Sequence, residues 1–257
     1  PSHAPGWRMA GLTRDQFDLT DFAAMRAAFQ QQQLRLIIHC AALSRSPACQ
    51  SNPALARTIN VEVTARLAEL AADIPFFFFS TDLVFDGRQG DYDEAASINP
   101  LSVYAETKAA AERIVLMNPG HSVVRISLNG GVSPTGDRGF NEDMRRAWAA
   151  GRELTLFTDE YRCPLPAAVT ARAVWELVVR NEPGLFHLAG SERLSRWRIG
   201  QLLAARWPQL RPRLRPGSLR DYHGAPRAPD TSLNSDKIQR RLSFKLPGLT
   251  EWLAAHP

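Results

Sequence analysis

Residues Ser80 to Lys108 read STDLVFDGRQGDYDEAASINPLSVYAETK and follow directly on the apolar run Pro75-Phe76-Phe77-Phe78-Phe79. That run suits a strand buried on both faces, which leaves Ser80 and Thr81 at its end. The segment closes in Tyr104-Ala-Glu-Thr-Lys108 and continues into Ala109 to Met117, rich in helix formers. Positions four apart share a helix face, so the Tyr104 ring and the Lys108 ammonium point the same way. A phenol with an ordinary pKa of about 10 is a poor acid–base group at neutral pH, and a neighbouring ammonium favours its phenolate. A threonine hydroxyl at the strand end can hold a substrate oxygen and stabilise charge developing there. None of the three carries a hydride, so carbonyl reduction by this set needs a cofactor that does.

Alone, Tyr-x-x-x-Lys is commonplace and is usually a helix surface contact. The composite is far more specific: apolar strand, Ser-Thr-Asp, Val84-Phe85-Asp86-Gly87, then Pro100-Leu-Ser-Val-Tyr104-x-x-x-Lys108. It resembles the extended short-chain dehydrogenase/reductase family, and within it the dTDP-4-dehydrorhamnose reductase branch. The resemblance implies an α/β fold with a doubly wound parallel sheet of Rossmann type and a small C-terminal substrate lobe. Residues 1–150 would form the dinucleotide-binding domain, and 151–257 mostly the substrate lobe, with some segments returning to the first domain. It implies a nucleotide-sugar reductase in which Thr81, Tyr104 and Lys108 are catalytic, the last two also touching the cofactor. Asp82, Val84 and Phe85 would line the sugar site.

A dinucleotide-binding unit should open on a strand, a glycine turn and a helix whose amides receive the pyrophosphate. The first forty residues hold only isolated glycines, Gly6 and Gly11, and the sequence starts at Pro1. The first βαβ element of the family is therefore expected to be missing from it, as in a fragment. Leu12–Leu19 reads as a short strand, and Asp18-Leu19-Thr20-Asp21 resembles the family's adenine-edge motif, which assigns Asp18 and Leu19 to the cofactor. Thr20 or Asp21 also suits an N-cap for a helix over Phe22–Gln33. Leu34–Cys40 is a second buried strand, followed by Ala41-Ala42-Leu43-Ser44, the family's small-residue turn. Ala41 and Ala42 would let backbone approach the cofactor, and Ser44 would reach the substrate. Asn60, in a helix expected over Pro53–Ala72, is unfavourable enough to need a reason; the family makes it a support at the cofactor side.

Ser122–Ser127 is a further strand, and Leu128 stands where the family has an aromatic residue, which concerns the substrate pocket. The glycine-rich loop Gly130–Gly139 lacks the spacing of a phosphate cradle. Leu154–Tyr161 matches the family's next strand, and Ala168–Arg180 reads as a helix. Leu185–Ala189 and a helix from Ser195 to Trp207 read as the substrate lobe and Arg211–Pro229 as a loop over the pocket; Arg227 before Pro229, with Asp230 to Lys237, resembles the family's C-terminal motif, which implies that Arg227 is a substrate residue.

Length and composition agree. The chain has 257 residues, 44% hydrophobic and 22% charged, ordinary for a globular α/β protein. Its net charge of +5 comes almost wholly from arginines spread along the chain, with no basic run or finger spacing to suggest nucleic acid. No apolar run approaches a membrane span. Three cysteines at odd spacing suit a reducing compartment, and six scattered histidines show no metal-ligand spacing. A cytoplasmic protein without a metal is the simplest account. The cofactor is NADP or NAD, with NADP slightly preferred; the choice is read largely at the missing glycine turn and second strand, and Arg8 and Arg14 near that region do not decide it. The partner is a nucleotide-sugar, and oligomeric state is open, a homodimer included. Two alternatives stand beside the reductase. One is a non-catalytic dinucleotide-binding subunit like the regulatory subunit of methionine adenosyltransferase; the other is a nucleotide-sugar epimerase or dehydratase.

Overall fold

The computed structural model describes residues 6–133 and 135–256; Pro1, and Pro134 within the Gly130–Gly139 loop, lie outside them. The phenylalanine run becomes one of the two inner strands of a four-stranded parallel sheet. In chain order the first elements are α1 (Phe22–Gln31), β1 (Ile37–His39), α2 (Ser46–Ser51), α3 (Pro53–Arg57), a π-helical turn (Thr58–Glu62) and α4 (Val63–Leu70). Then come β2 (Phe76–Thr81), α5 (Val103–Val115), β3 (His121–Ile126), β4 (Asn129–Gly130), α6 (Phe140–Ala149) and β5 (Glu153–Phe157). The rest comprises β6 (Tyr161–Arg162), β7 (Leu165–Pro166), α7 (Ala167–Arg180), β8 (Gly184–Leu188), β9 (Leu194–Ser195), α8 (Arg196–Arg206), β10 (Arg213–Gly217), α9 (Asp236–Gln239) and α10 (Leu249–Ala255).

The main sheet runs β1-β2-β3-β8, all parallel. Side chains alternate across it with period two. Phe76 and Phe78 face a layer made by α1, α4 and α5 through Met25, Leu67, Ala111 and Val115. Phe77 faces the other way, onto Ala173, Val174 and Leu177 of α7 and Ile238 of α9. Helices on both faces of a parallel sheet make the doubly wound architecture expected from the sequence. Each fully buried phenylalanine contributes roughly 1.5–3 kcal/mol over an exposed one.

Four expectations need correction. Leu12–Leu19 is not a strand: Thr13 and Gln16 close a turn, and Asp18 accepts from the Thr20 amide, local polar bonds that compete with sheet pairing. The helix expected over Pro53–Ala72 is interrupted by the π turn around Asn60. Leu185–Ala189 is observed as β8 and pairs with β3 in the main sheet, where its apolar residues are covered on both sides. The loop over Arg211–Pro229 contains β10, which pairs in parallel with β5 in a separate small sheet.

Candidate active site

The carboxyl ends of β2 and β3 open on a cavity of about 310 Å³, the position where open parallel sheets bind ligands. Its walls include Ser44, Thr81, Asp82, Tyr104, Ser127 and Leu128, together with Glu160, Arg162, Arg196 and Arg227. Ser102 caps α5 by accepting from the Ala105 amide at 3.3 Å, so the helix begins at the cavity and carries Tyr104 in its first turn.

Lys108 lies one turn further along α5 and is 3% exposed. Its Nζ donates to the Phe79 carbonyl at 2.6 Å and sits 3.8 Å from the Phe78 ring centroid. Burial lowers its pKa to about 7, with Glu112, the next residue along the same stripe, holding it up. Tyr104 behaves differently from the sequence expectation. Burial and the negative charge of Asp82 push its phenol above the ordinary range, a hydrogen bond with Thr81 acts in the opposite sense, and Lys108 is not among the causes. The ammonium is turned toward the backbone of β2 instead.

Asp82 is buried and accepts from the hydroxyls of Thr81 (3.2 Å), Ser127 (2.9 Å) and Thr231 (2.9 Å). Burial raises its pKa, and Arg162 together with the three hydroxyls opposes that rise. Val84 and Phe85, assigned to the sugar site from the sequence, do not line the cavity. The 3₁₀ turn Asp82–Val84 leaves Leu83 on the cavity side, while Val84 and Phe85, both 0% exposed, pack against Tyr92 and Leu233.

Asn60 is buried, and its amide makes three hydrogen bonds. Oδ1 accepts from the Leu43 amide (2.8 Å), and Nδ2 donates to the Leu43 carbonyl (3.1 Å) and to Thr107 Oγ (2.9 Å). It fastens the Ala41–Ser44 turn to α5, so it shapes the site through backbone. Ala41 and Ala42 lie in that turn, and Ser44 reaches the cavity. Asp18 is exposed and turned onto Thr20, while Leu19 packs into the core layer of α1 and α4. Gly6 and Gly11 have nothing within 4 Å of where a Cβ would stand, so neither marks a close backbone approach. The amides of Ser133, Arg138 and Gly139, in the glycine-rich loop, all donate to Glu142, which uses them internally. Among the described residues, no three His, Cys, Asp or Glu side chains gather as a metal site, and no helix is long and apolar enough to cross a membrane.

The family described as the RmlD substrate binding domain matches residues 2–256. The chain belongs to the RmlD family. The resemblance drawn from Ser80–Lys108 is thereby borne out, together with the Rossmann-type fold. Among curated relatives of this RmlD-family chain is the probable low-salt glycan biosynthesis reductase of Haloferax volcanii. It is 33% identical over 186 residues, covering 70% of this chain and 62% of that protein, so the chain spans less than two thirds of that relative. The methionine adenosyltransferase 2 subunit beta of Xenopus laevis is 29% identical, covering 91% of this chain and 73% of that protein. Among solved structures, dTDP-4-dehydrorhamnose reductase from Bacillus anthracis, in complex with NADP, superposes with a TM-score of 0.86 at 20% identity, covering 95% of this chain and 87% of that one.

Sequence reasoning missed the part of the cavity wall formed by Glu160, Arg162 and Arg196. In this RmlD-family chain Glu160 is 1% exposed and accepts from Arg162 Nη2 (2.9 Å), Arg227 Nε (3.0 Å) and Arg227 Nη2 (2.8 Å). Arg227 therefore reaches the cavity, as expected, but with its guanidinium engaged by Glu160. The only sequence signal for this wall was the Asp159-Glu160-x-Arg162 spacing before Pro164.

Proposed function

We propose that this protein is an NAD(P)H-dependent reductase acting on the keto group of a nucleotide-activated deoxysugar, a 4-keto sugar as in dTDP-4-dehydrorhamnose. The observation that carries the reading is that Thr81, Asp82 and Tyr104 share one cavity wall while Lys108 lies on the same stripe of α5 beneath it. In this reading residues 1–150 carry the dinucleotide half and 151–257 most of the substrate lobe.

A bound reduced nicotinamide supplies the hydride. The small turn Ala41–Ser44 and buried Lys108 suit its nicotinamide end, and neighbouring folds hold NADP in one case and NAD in another. At the pyrophosphate end the described residues offer no glycine cradle, so no step is assigned there. Thr81 holds the carbonyl oxygen by its hydroxyl, whose proton turns to the substrate from the long bond it makes to Asp82. Tyr104 delivers a proton to the alkoxide that forms. Its raised pKa keeps the phenol protonated before reaction, the state an acid must start from, and a positive charge brought near it eases release. Lys108 is the nearest such charge on α5, and its pKa of about 7 makes its charge responsive near neutrality.

The test follows NADPH consumption with a dTDP-4-keto-6-deoxysugar. Tyr104→Phe is expected to lose roughly 10²–10⁴-fold in turnover with an unchanged thermal midpoint. Equal rates for wild type and variant would remove Tyr104 from the chemistry.

A second reading has its own support: the methionine adenosyltransferase 2 subunit beta matches 91% of this chain, more than the 70% matched by the Haloferax reductase. On that reading the protein binds dinucleotide, turns over no sugar and copurifies with a methionine adenosyltransferase.

A further inference from the structure

Three arginines approach Glu160, and they are not equivalent. Arg162 donates to Glu160, to the Tyr161 carbonyl (2.6 Å) and to the Ala228 carbonyl (3.1 Å), and its Nε stands 3.8 Å from Asp82. Arg227 lies on Glu160 through two nitrogens. Arg196, the first residue of α8, donates only its backbone amide, to the Glu160 carbonyl at 2.8 Å. Among the described residues its guanidinium meets no hydrogen-bond acceptor and no carboxylate within ion-pair distance, and its Nη1 is shut off from solvent without a partner. The Phe140 ring, 5.9 Å from Cζ, is at the outer limit of a cation–π contact.

An arginine in this state is costly. The two N–H donors of Nη1 have been taken from water with nothing returned, on a side chain that carries a full charge at the edge of the cavity. Burial and the charges of Arg162 and Arg227 lower its pKa to about 10, with Glu160 and Asp82 opposing, so it is still a cation at neutral pH. Both nearby carboxylates are engaged elsewhere: Glu160 by Arg162 and Arg227, Asp82 by three hydroxyls. Three guanidinium groups thus share two carboxylates, and the excess charge borders the cavity that Tyr104 also lines. A planar fork of donors is matched by an oxyanion with two oxygens.

We propose that Arg196 is a ligand-binding residue for an oxyanion, phosphoryl or carboxylate, carried by the molecule that enters this cavity; naming that molecule a nucleotide-sugar rests on the function proposed above. The phosphoryl source is the diphosphate linkage, and the carboxylate source is an acidic sugar. Arg227, which the family resemblance assigns to substrate, also holds Glu160 in place.

The experiment is calorimetric titration of wild type, Arg196→Met and Arg196→Lys with inorganic pyrophosphate, dTDP, UDP-glucose and UDP-glucuronate. Wild type is expected to bind pyrophosphate and dTDP, with Arg196→Met weakening both roughly ten- to a hundredfold and Arg196→Lys recovering part of the loss. If the diphosphate is the source, the Met variant loses equally for glucose and glucuronate. If a sugar carboxylate is the source, wild type prefers glucuronate, and only that preference disappears. Unchanged affinity of Arg196→Met for all four probes overturns the proposal, leaving Arg196 a packing residue on Phe140. Should Arg196→Met not fold, wild-type melting decides: no stabilisation by pyrophosphate, dTDP or UDP-glucuronate overturns it. Pyrophosphate bound through Arg196 with no nucleotide bound at all would keep the oxyanion site and defeat the nucleotide-sugar reading. The reverse outcome would keep that reading and remove Arg196.

Discussion

Asp82 takes three hydroxyl hydrogen bonds while burial drives its pKa up, and its charge in turn raises the phenol of Tyr104. Replacing it with asparagine keeps the size and removes the charge. For Asp82→Asn we expect the Tyr104 phenol to titrate at lower pH, read as phenolate absorbance against a Tyr104→Phe background. An unmoved titration would show that the carboxylate does not set the phenol. Thr81, Tyr104 and Lys108 were legible in the sequence because they fall within 28 consecutive residues, where a strand end and a helix repeat fix their relation. Glu160, Arg162, Arg196 and Thr231 were not. They come from segments brought together only by tertiary folding, Thr231 meeting Asp82 across 149 positions, and no local period links them.

At the scale of elements, the π turn shows both the reach and the limit of pattern reading. A mid-helix asparagine was a signal that something local was needed. That it widens the helix and clasps the Leu43 backbone from both sides depends on β1 and α5 being in place. The turn after Phe85 gives a sharper test. Gly87 has φ +77°, and a Cβ there would stand 2.7 Å from the Asp230 amide nitrogen and 2.8 Å from that of Pro229. Gly151 has a similar φ of +69° with nothing within 4 Å. Gly151→Ala is therefore expected to cost about 1 kcal/mol from backbone conformation alone, and Gly87→Ala clearly more, because backbone must move. Urea unfolding of the two variants checks it; equal losses would mean that the close approach is relieved without cost.

For the molecule as a whole, two buried histidines mark opposite edges of the main sheet. His39 on β1 is held down to about 3, chiefly by burial and then by Lys108, and His187 on β8 to about 3 by burial and then Arg125. Both are neutral in the native state. Their folded pKa values lie below the unfolded value near 6.5, so between pH 6.5 and 3 the unfolded chain takes up protons that the native one refuses. Stability from this source is present above pH 6.5 and is lost as pH falls, at about 1.4 kcal/mol per unit for each histidine. Denaturant unfolding at pH 5.5 is expected to give a free energy about 2–3 kcal/mol below that at pH 7.5, with His39→Gln showing about half the difference. A flat profile in this window would mean that both rings are protonated inside the fold. The parallel sheet and its two helix layers were readable from apolar runs and helix formers. The placing of β8 beside β3 was not, since only pairing reveals which run joins which edge.

The bond between Thr231 and Asp82 also orders events in time. A growing polypeptide that has just passed Leu188 already possesses all four strands of the main sheet, yet the acid beside the phenol lacks one of its three hydroxyl donors, and Arg227 has not been made. A complete receptacle thus arrives only once Thr231 has been made, well after the scaffold can assemble, and a chain stopped short of it carries α5 without its finished surroundings.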